Sequence, residues 1–374
     1  MVKMAQSLRQ GAGQVNVKRV LVLSAYHAQS HQYWVESLCR ELKGFDWQVV
    51  SLPARFFAWR IRGNPLSFLA EFTDVLQQDY DLGIATSMVD LATLKGICPQ
   101  LSRLPWLVYF HENQFAYPAS GYQHPSLEPQ MVNLYAALAA DKVVFNSDYN
   151  RRTFLAGVTA LMQKMPDCKP DNLAAQIGAK TSVLSVPVYL PNAVEKALGD
   201  IPKLLWNHRW EYDKGPDLLL AFLKRLELSG ERYRLAIVGQ QFRQQPAAFA
   251  EIKKLLDNSK NLTLEEWGYQ PSTEAYQACL ASSDIVLSTA EHDFQGLAVL
   301  EAVAAGARPV VPDALAYPEW FSSDYCYAAT GELHQQAEAM YQCLVRVKDL
   351  TSPNLTFLSW PRLAVEYQQL LQSL

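Results

Sequence analysis

From about residue 18 onward, short apolar runs alternate with longer stretches whose apolar positions recur at helical spacing. The runs RVLVLS (19–24), QVVSL (48–52), DLGIAT (81–86), WLVYF (106–110), KVVFN (142–146) and SVLSV (182–186) predict six strands. Their apolar positions are nearly continuous rather than alternate, which suits strands covered on both faces of a parallel sheet. Between the first two, HQYWVESLCRELKG (31–44) has helical spacing and ends at a glycine. This is the β/α alternation of a doubly wound sheet.

The alternation then breaks. PVYLPNAVEKALGDIPK (187–203) holds three prolines and no periodicity, and reads as a linker. Strand-like runs resume at KLLWNH (203–208), YRLAIVG (233–239), NLTLEEWG (261–268), DIVLST (284–289) and RPVVP (308–312). Among them PDLLLAFLKRLELSG (216–230) is a helix opening on proline and closing on glycine. The predicted division is a loose tail (1–17), an N-terminal domain (18–190), a C-terminal domain (203–355) and a terminal segment (356–374). That segment, amphipathic and preceded by no strand, is expected to return onto the first domain. The length of 374 residues agrees, since domains average about 150.

At 49% apolar and 19% charged, the chain is globular rather than disordered. The net charge of −4 excludes a polycation, so any nucleic-acid contact must come from a local patch. Residues 1–200 carry 18 basic and 16 acidic side chains, and residues 201–374 carry 15 and 21, as two domains with different partners would. Six cysteines and seven histidines are scattered without metal-ligand or disulfide spacing, which suggests a reducing cytoplasm and no structural zinc. No apolar run reaches about 18 residues, and the first sixteen residues lack a signal-peptide core, so neither a membrane span nor secretion is expected.

Two segments of the second half carry chemistry. In STAEHDFQGLAVLEAVAAGARPVV (288–311) a strand runs through a loop into a small-residue helix. The free amides at the helix start suit an anion or a sugar hydroxyl, and Gly296 and Ala298 allow backbone approach. Glu301 is placed to accept ribose hydroxyls, and Asp293 stands just ahead of the helix. Two carboxylates alone would also fit a solvated helix face. In WNHRWEYDKGPDLL (206–219), Arg209 and Lys214 lie between a strand end and a helix start, where open α/β sheets bind ligands. A guanidinium and an ammonium there suit a diphosphate and the charge on a departing nucleoside diphosphate. A solvated loop with stray charges is the plain alternative.

In the first half His111 directly follows an apolar strand, with Glu112 and Asn113 after it. Such a histidine can exchange a proton or hydrogen-bond a sugar. His31 is a second candidate for the same cleft. The stretch 47–70 has no acidic residue, and Arg55, Arg60 and Arg62 interleave with Phe56, Phe57 and Trp59. Arginines on phosphates and aromatics on unpaired bases are how loop RNA is recognised, and Arg151 and Arg152 would extend the patch. A strand end followed by a helix with core aromatics reads equally well.

Arg209 and Lys214 after a strand, followed by an acidic pair eight apart, resemble the second domain of family 4 glycosyltransferases of the GT-B fold. There the pair is usually two glutamates, whereas here Asp293 stands in the first place and Glu301 in the second. LSAYHAQSHQYW (23–34), SLPARFFAWRIRGNPLSF (51–68), LVYFHENQFAYP (107–118), VVFNSDYNRRTFL (143–155) and HRWEYDKGP (208–216) are similar to tRNA-queuosine α-mannosyltransferases over about residues 18–374. Ala28 and Gln29 occupy a loop where that family often has glycines.

The resemblance implies two doubly wound domains facing across a cleft and transfer of mannose from GDP-mannose to the cyclopentene diol of queuosine in tRNA, with retention. It implies catalytic roles for His111, Asp293, Arg209 and Lys214. Donor contacts would come from Arg209, Lys214, Gly296, Leu297 and Glu301. Acceptor contacts would come from His31, Arg55, Trp59, Arg60, Arg62, Asn113 and Arg151. Neither a catalytic metal nor a cofactor beyond the nucleotide sugar is implied, nor a protein or membrane partner. The alternatives are a GT-B enzyme with another nucleotide sugar and a non-RNA acceptor, or a non-catalytic nucleotide-sugar or RNA binder. A glycosidase would need two carboxylates flanking one bond, and these stand beside a diphosphate site instead.

Overall fold

The computed structural model describes residues 17–117, 126–190 and 196–374. Six strands build the first sheet: β1 (Lys18–His27), β2 (Phe45–Pro53), β3 (Leu82–Thr86), β4 (Trp106–Phe110), β5 (Lys142–Phe145) and β6 (Thr181–Val183). Six more build the second: β7 (Lys203–Trp206), β8 (Tyr233–Val238), β9 (Leu262–Gly268), β10 (Ile285–Leu287), β11 (Arg308–Pro312) and β12 (Cys326–Tyr327). All pairings within the sheets are parallel. The orders are β2-β1-β3-β4-β5-β6 and β12-β11-β10-β7-β8-β9. Strands β3, β4, β7, β10 and β11 are buried at every position, which is why they read as unbroken apolar runs.

Each order reverses once, between β1 and β3 in the first sheet and between β7 and β10 in the second. At a reversal the connecting helices leave on opposite faces, and a crevice opens beyond the strands' carboxyl ends. The loops after β7 and β10, which carry Arg209, Lys214 and Asp293, meet at one such crevice. The loops after β1, β3 and β4 meet at the other. The tertiary fold thus converges segments some eighty residues apart.

Three features depart from the sequence expectation. Strand β6 ends at Val183, because the chain leaves the sheet there to cross between the domains. β12 has only two residues, too short for a hydrophobic pattern to reveal. The proposed linker is anchored at its start, where the Val188 amide donates to the Leu358 carbonyl at 2.8 Å. Its residues 191–195, like most of the proposed N-terminal tail, lie outside the described residues.

The terminal helix Trp360–Gln372 packs on the N-terminal domain. Tyr367 accepts a hydrogen bond from Trp34 Nε1 at 3.0 Å and reaches the Ser185 carbonyl at 3.0 Å, and Lys18 Nζ holds the Gln372 carbonyl at 3.1 Å. One buried cluster runs from Val20, Trp34 and Tyr109 through Trp360 and Tyr367 to Leu205, Val286 and Leu300, so the domains share a core. Between them, the Glu319 carboxylate accepts from the amides of Asp148 and Tyr149 at 2.8 and 2.6 Å, an anion at a helix start supplied by the other domain.

Candidate active site

On the C-terminal wall, two glycines let the loops close. Gly215 has φ +61°, and a Cβ there would lie 2.0 Å from the Thr289 carbonyl oxygen. Gly296 has φ +75°, and a Cβ there would meet the Tyr317 ring at 2.7 Å. Neither position accepts another residue without strain. The close approach brings Lys214 onto the second loop, where Nζ donates to the His292 carbonyl at 2.6 Å. The same ammonium lies 3.3 Å from Asp213 and 3.6 Å from Asp293. Asp293 Oδ1 accepts from the Gly296 amide at 2.9 Å and Oδ2 from Tyr317 at 3.3 Å. Burial pushes that carboxyl up, but Lys214 and the Gly296 amide help hold it below the usual range, so it stays ionised.

Arg209 sits at the mouth, 2.5 Å from Glu211 and hydrogen-bonded to Tyr117 of the opposite domain. Flanking it, His208 and His292 are buried, and desolvation with the Lys214 charge brings both to about 4, so they are neutral near pH 7. Glu301 accepts from Tyr276 at 3.1 Å, and burial raises its carboxyl to about 7. Asn207 donates to the Ala298 carbonyl at 2.7 Å and to Tyr276 at 3.1 Å, fixing this helix start against β7. A cation pair, free amides at Leu297 onward and a titratable carboxylate therefore line one edge. That set suits an anion with an attached polyol.

Across the cleft, His111 packs between Trp34, Tyr109 and His31, with ring centroids 4.9, 4.7 and 4.2 Å away. Neither of its ring nitrogens has a hydrogen-bond partner among the described residues. Burial drives its pKa well below the ordinary value, and the charges of His31 and His27 push the same way. His111 is therefore a neutral imidazole with one donor and one acceptor free. Buried nitrogens are rarely left unsatisfied, and a bound hydroxyl would complete them.

The other residues proposed for the acceptor side separate into groups. Arg55, Phe56 and Trp59 are exposed, with the Arg55 guanidinium over the Phe56 ring at 5.5 Å. Phe56 has φ +57°, a strained backbone for a bulky residue, and the geometry holds its ring outward at 68% exposure. Asn113 must be corrected. It is fully buried, its amide donating to Asn150 and Thr153 while its oxygen receives the amides of Phe115 and Ala116. Asn113 therefore shapes the loop after β4 and offers nothing to RNA.

Arg60 is likewise buried, its guanidinium on Ser67 at 2.9 Å, because its position on the helix Phe57–Leu76 turns inward. Arg62 is taken up by Asp90 at 2.6 Å and Glu128 at 2.8 Å, and Arg151 by Asp148 at 2.5 Å. His31 is buried behind His111 rather than presented to a ligand.

Sequence reasoning passed over several members of the site. His208, Asp213 and His292 stand beside residues already singled out, so their strings held a signal. Tyr276, Tyr317 and Ser87 reach the cleft only through the fold. Asp79-Tyr80-Asp81 has the aspartate-x-aspartate spacing of a metal motif. It sits at the amino edge of the sheet, with Asp81 accepting from the Arg19 amide at 2.7 Å. No group of three or more His, Cys, Asp or Glu placed to hold a metal occurs among the described residues.

Two doubly wound parallel domains, with the loops after β7 and β10 on one facing His111 on the other, have the architecture of a GT-B glycosyltransferase. The family pattern described as glycosyl transferases group 1 matches residues 193–343. That described as tRNA-queuosine alpha-mannosyltransferase N-terminal matches residues 19–188. A tRNA-queuosine alpha-mannosyltransferase of Drosophila melanogaster is 32% identical over 327 residues, 84% of each chain. The chain belongs to the tRNA-queuosine α-mannosyltransferase family. Among solved structures, sucrose-phosphate synthase from Thermosynechococcus elongatus superposes with a TM-score of 0.67 at 15% identity, covering 95% of this chain and 99% of that one. A trehalose-phosphate synthase from Burkholderia xenovorans superposes with a TM-score of 0.64 at 11% identity and the same coverage. At such identities these likenesses speak to the fold alone.

Proposed function

We propose that this protein transfers mannose from GDP-mannose to queuosine in tRNA, with retention at the anomeric carbon, in the cytoplasm. The observation that carries the reading is the convergence of Arg209, Lys214, Asp293 and the Gly296 helix start opposite His111, in a chain of this family. The donor lies on the C-terminal domain, its diphosphate on Arg209, Lys214 and the amides from Leu297, its ribose on Glu301. Asp293 meets the sugar, since a carboxylate beside a diphosphate would be repelled. No metal ion is invoked, because the two cations meet the phosphate charge.

In the reaction the acceptor hydroxyl attacks the anomeric carbon on the face from which the diphosphate departs. The carbon–oxygen bond to the diphosphate breaks and its electron pair goes to the phosphate. The hydroxyl proton passes to a leaving phosphate oxygen, and Arg209 and Lys214 stabilise the developing charge. His111, neutral, hydrogen-bonds the transferred sugar or the acceptor. Arg55, Phe56 and Trp59 form the RNA-facing edge, stacking on unpaired bases.

The test is incubation with labelled GDP-mannose and tRNA with or without queuosine. Label entering only queuosine-containing tRNA as an α-linked sugar is the expected result. Transfer from another nucleotide sugar, or to a non-RNA acceptor, would replace both substrates while keeping the fold. An inverted product would remove the same-face mechanism.

A further inference from the structure

Glu112 follows His111 at the carboxyl end of β4, and its surroundings differ from those of every carboxylate on the opposite wall. One oxygen lies 3.2 Å from His31 Nε2, and the other accepts from Ser87 Oγ at 3.0 Å. Its side chain keeps 23% exposure. Each oxygen has one protein donor and so retains acceptor capacity. His31 Nδ1 meets the Tyr26 carbonyl at 2.7 Å. A ring whose two nitrogens both face acceptors must donate from both, and so carries a charge.

The adjoining His111 lies ring to ring with His31, and neither of its nitrogens is hydrogen-bonded among the described residues. The two histidines are thus in opposite states: one a buried cation paired with Glu112, the other a neutral ring facing the cleft. Burial opposes the charges, but the His31–Glu112 attraction holds the carboxyl below its usual range and the imidazolium above its own. Glu112 senses Arg209 across the cleft, yet Arg209 is engaged by Glu211 and no ion pair joins the two among the described residues.

An ionised carboxylate facing a cleft, with spare lone pairs and its charge balanced from behind, suits neutral hydroxyls. It repels a diphosphate. We propose that Glu112 is a residue of the acceptor site, accepting hydrogen bonds from the acceptor's hydroxyls, and that His31 is the positioning residue that fixes it. This rests on the glycosyl-transfer reading above and adds a specificity element to it: acceptors presenting adjacent hydroxyls are favoured, because a carboxylate receives two at once. His31 thereby acts through Glu112 and not on RNA.

The experiment measures acceptor KM, kcat and donor affinity separately for Glu112→Gln, Glu112→Asp and His31→Gln. Losing a hydrogen bond to a charged acceptor corresponds to about ten- to a hundred-fold, so Glu112→Gln should lower kcat/KM for the acceptor by that factor. The Kd for GDP-mannose should stay within about twofold. Glu112→Asp keeps the charge on a shorter arm and should fall between, and it decides the matter if the glutamine variant does not fold.

His31→Gln removes the cation and should move the acid limb of the kcat/KM profile to higher pH, since Glu112 then protonates more readily. Ser87, Tyr26, Arg209 and His292 also face Glu112, and His111 and His27 face His31, so Glu112→Gln must abolish the shift to assign it. In the double variant the two losses should not add. An acceptor KM unchanged in both Glu112 variants, or donor affinity falling in parallel, overturns the proposal. If the wild type labels no queuosine tRNA, the proposed function fails instead, and the same variants are then scored on whatever acceptor it uses.

Discussion

After β7, Arg209 and Lys214 stand at the reversal of the second sheet, and the loop from β10 closes over them. After β2, Arg55, Arg60 and Arg62 stand at the end of a strand lying at the edge of the first sheet, away from its reversal. The residue types are alike and the fates are not. At the reversal two loops share one crevice, so Lys214 is buried between two aspartates with its ammonium on the His292 carbonyl. At the edge the next element is a helix, and its rotation turns Arg60 inward and feeds Arg62 to Asp90 and Glu128. What that edge presents to solvent is Phe56 and Trp59, with Arg55 lying over the first. Charge collected at a reversal is suited to an anion, whereas charge on a peripheral helix largely neutralises its own domain.

The sharpest way to break this comparison is to remove the cations at the reversal. Arg209→Ala and Lys214→Ala should each lower kcat/KM by about 10²–10³, or ~3–4 kcal/mol, as lost transition-state donors do. Lys214→Ala also takes the ammonium away from Asp293 and leaves Asp213 with the longer 4.0 Å contact to Arg209. Steady-state kinetics with both substrates checks this, and turnover within threefold of wild type would remove the assignment. Asp293→Ala should be severe, since the Gly296 amide loses its acceptor, and Asp293→Glu should be milder.

At the edge the expectation is split. Phe56→Ala and Trp59→Ala should weaken tRNA use by ~1–3 kcal/mol per stacked base while donor affinity holds. Arg60→Glu with Arg62→Glu should instead lower Tm, by burying one carboxylate on Ser67 and placing another beside Asp90. Thermal melts alongside tRNA titrations separate the two. A normal Tm with lost tRNA binding would return these arginines to the RNA face.

A smaller effect is the pH dependence of the donor wall. Glu301 has a folded pKa of about 7 against an ordinary 4.5. The folded protein therefore keeps a proton on Glu301 that the unfolded chain has released, and the contribution of Glu301 to stability falls as pH rises from 4.5 to about 7. Ribose hydroxyls favour the ionised carboxyl, so GDP-mannose affinity should rise over the same interval and donor binding should release protons. Calorimetry in buffers of different ionisation enthalpy measures the proton release, and Glu301→Gln should remove it together with the share of Glu301 in the pH dependence of stability. His208 and His292, at about 4 in the folded protein against an ordinary 6.5, push stability the other way over much of that window, so the share of Glu301 is read as the difference between wild type and Glu301→Gln.

The chain's own pattern was enough for most of the fold. Eleven of the twelve strands among the described residues are visible as apolar-rich runs, most plainly β3, β4, β7, β10 and β11, because a strand covered on both faces has no solvent side to interrupt it. The two-residue β12 has too few positions for any periodicity. The loops that converge at the second reversal, the candidate donor wall, were legible for a related reason. Strand, glycine and helix start are local features, and Arg209, Lys214, Gly296 and Glu301 fall within a few residues of one. The acceptor wall was not, because the roles of His31, Ser87 and Glu112 depend on contacts between residues 25 and 81 positions apart. Sequence marked His31 as a polar candidate, but only packing buried it between the Tyr26 carbonyl and Glu112, behind a neutral His111. For Asn113, Arg60 and Arg62, composition promised exposure, while the angle of a loop or helix against its neighbour decided burial or pairing. Local pattern determines which elements form. Which side chains meet is a property of how those elements are rotated and stacked, and that is set by the whole core at once.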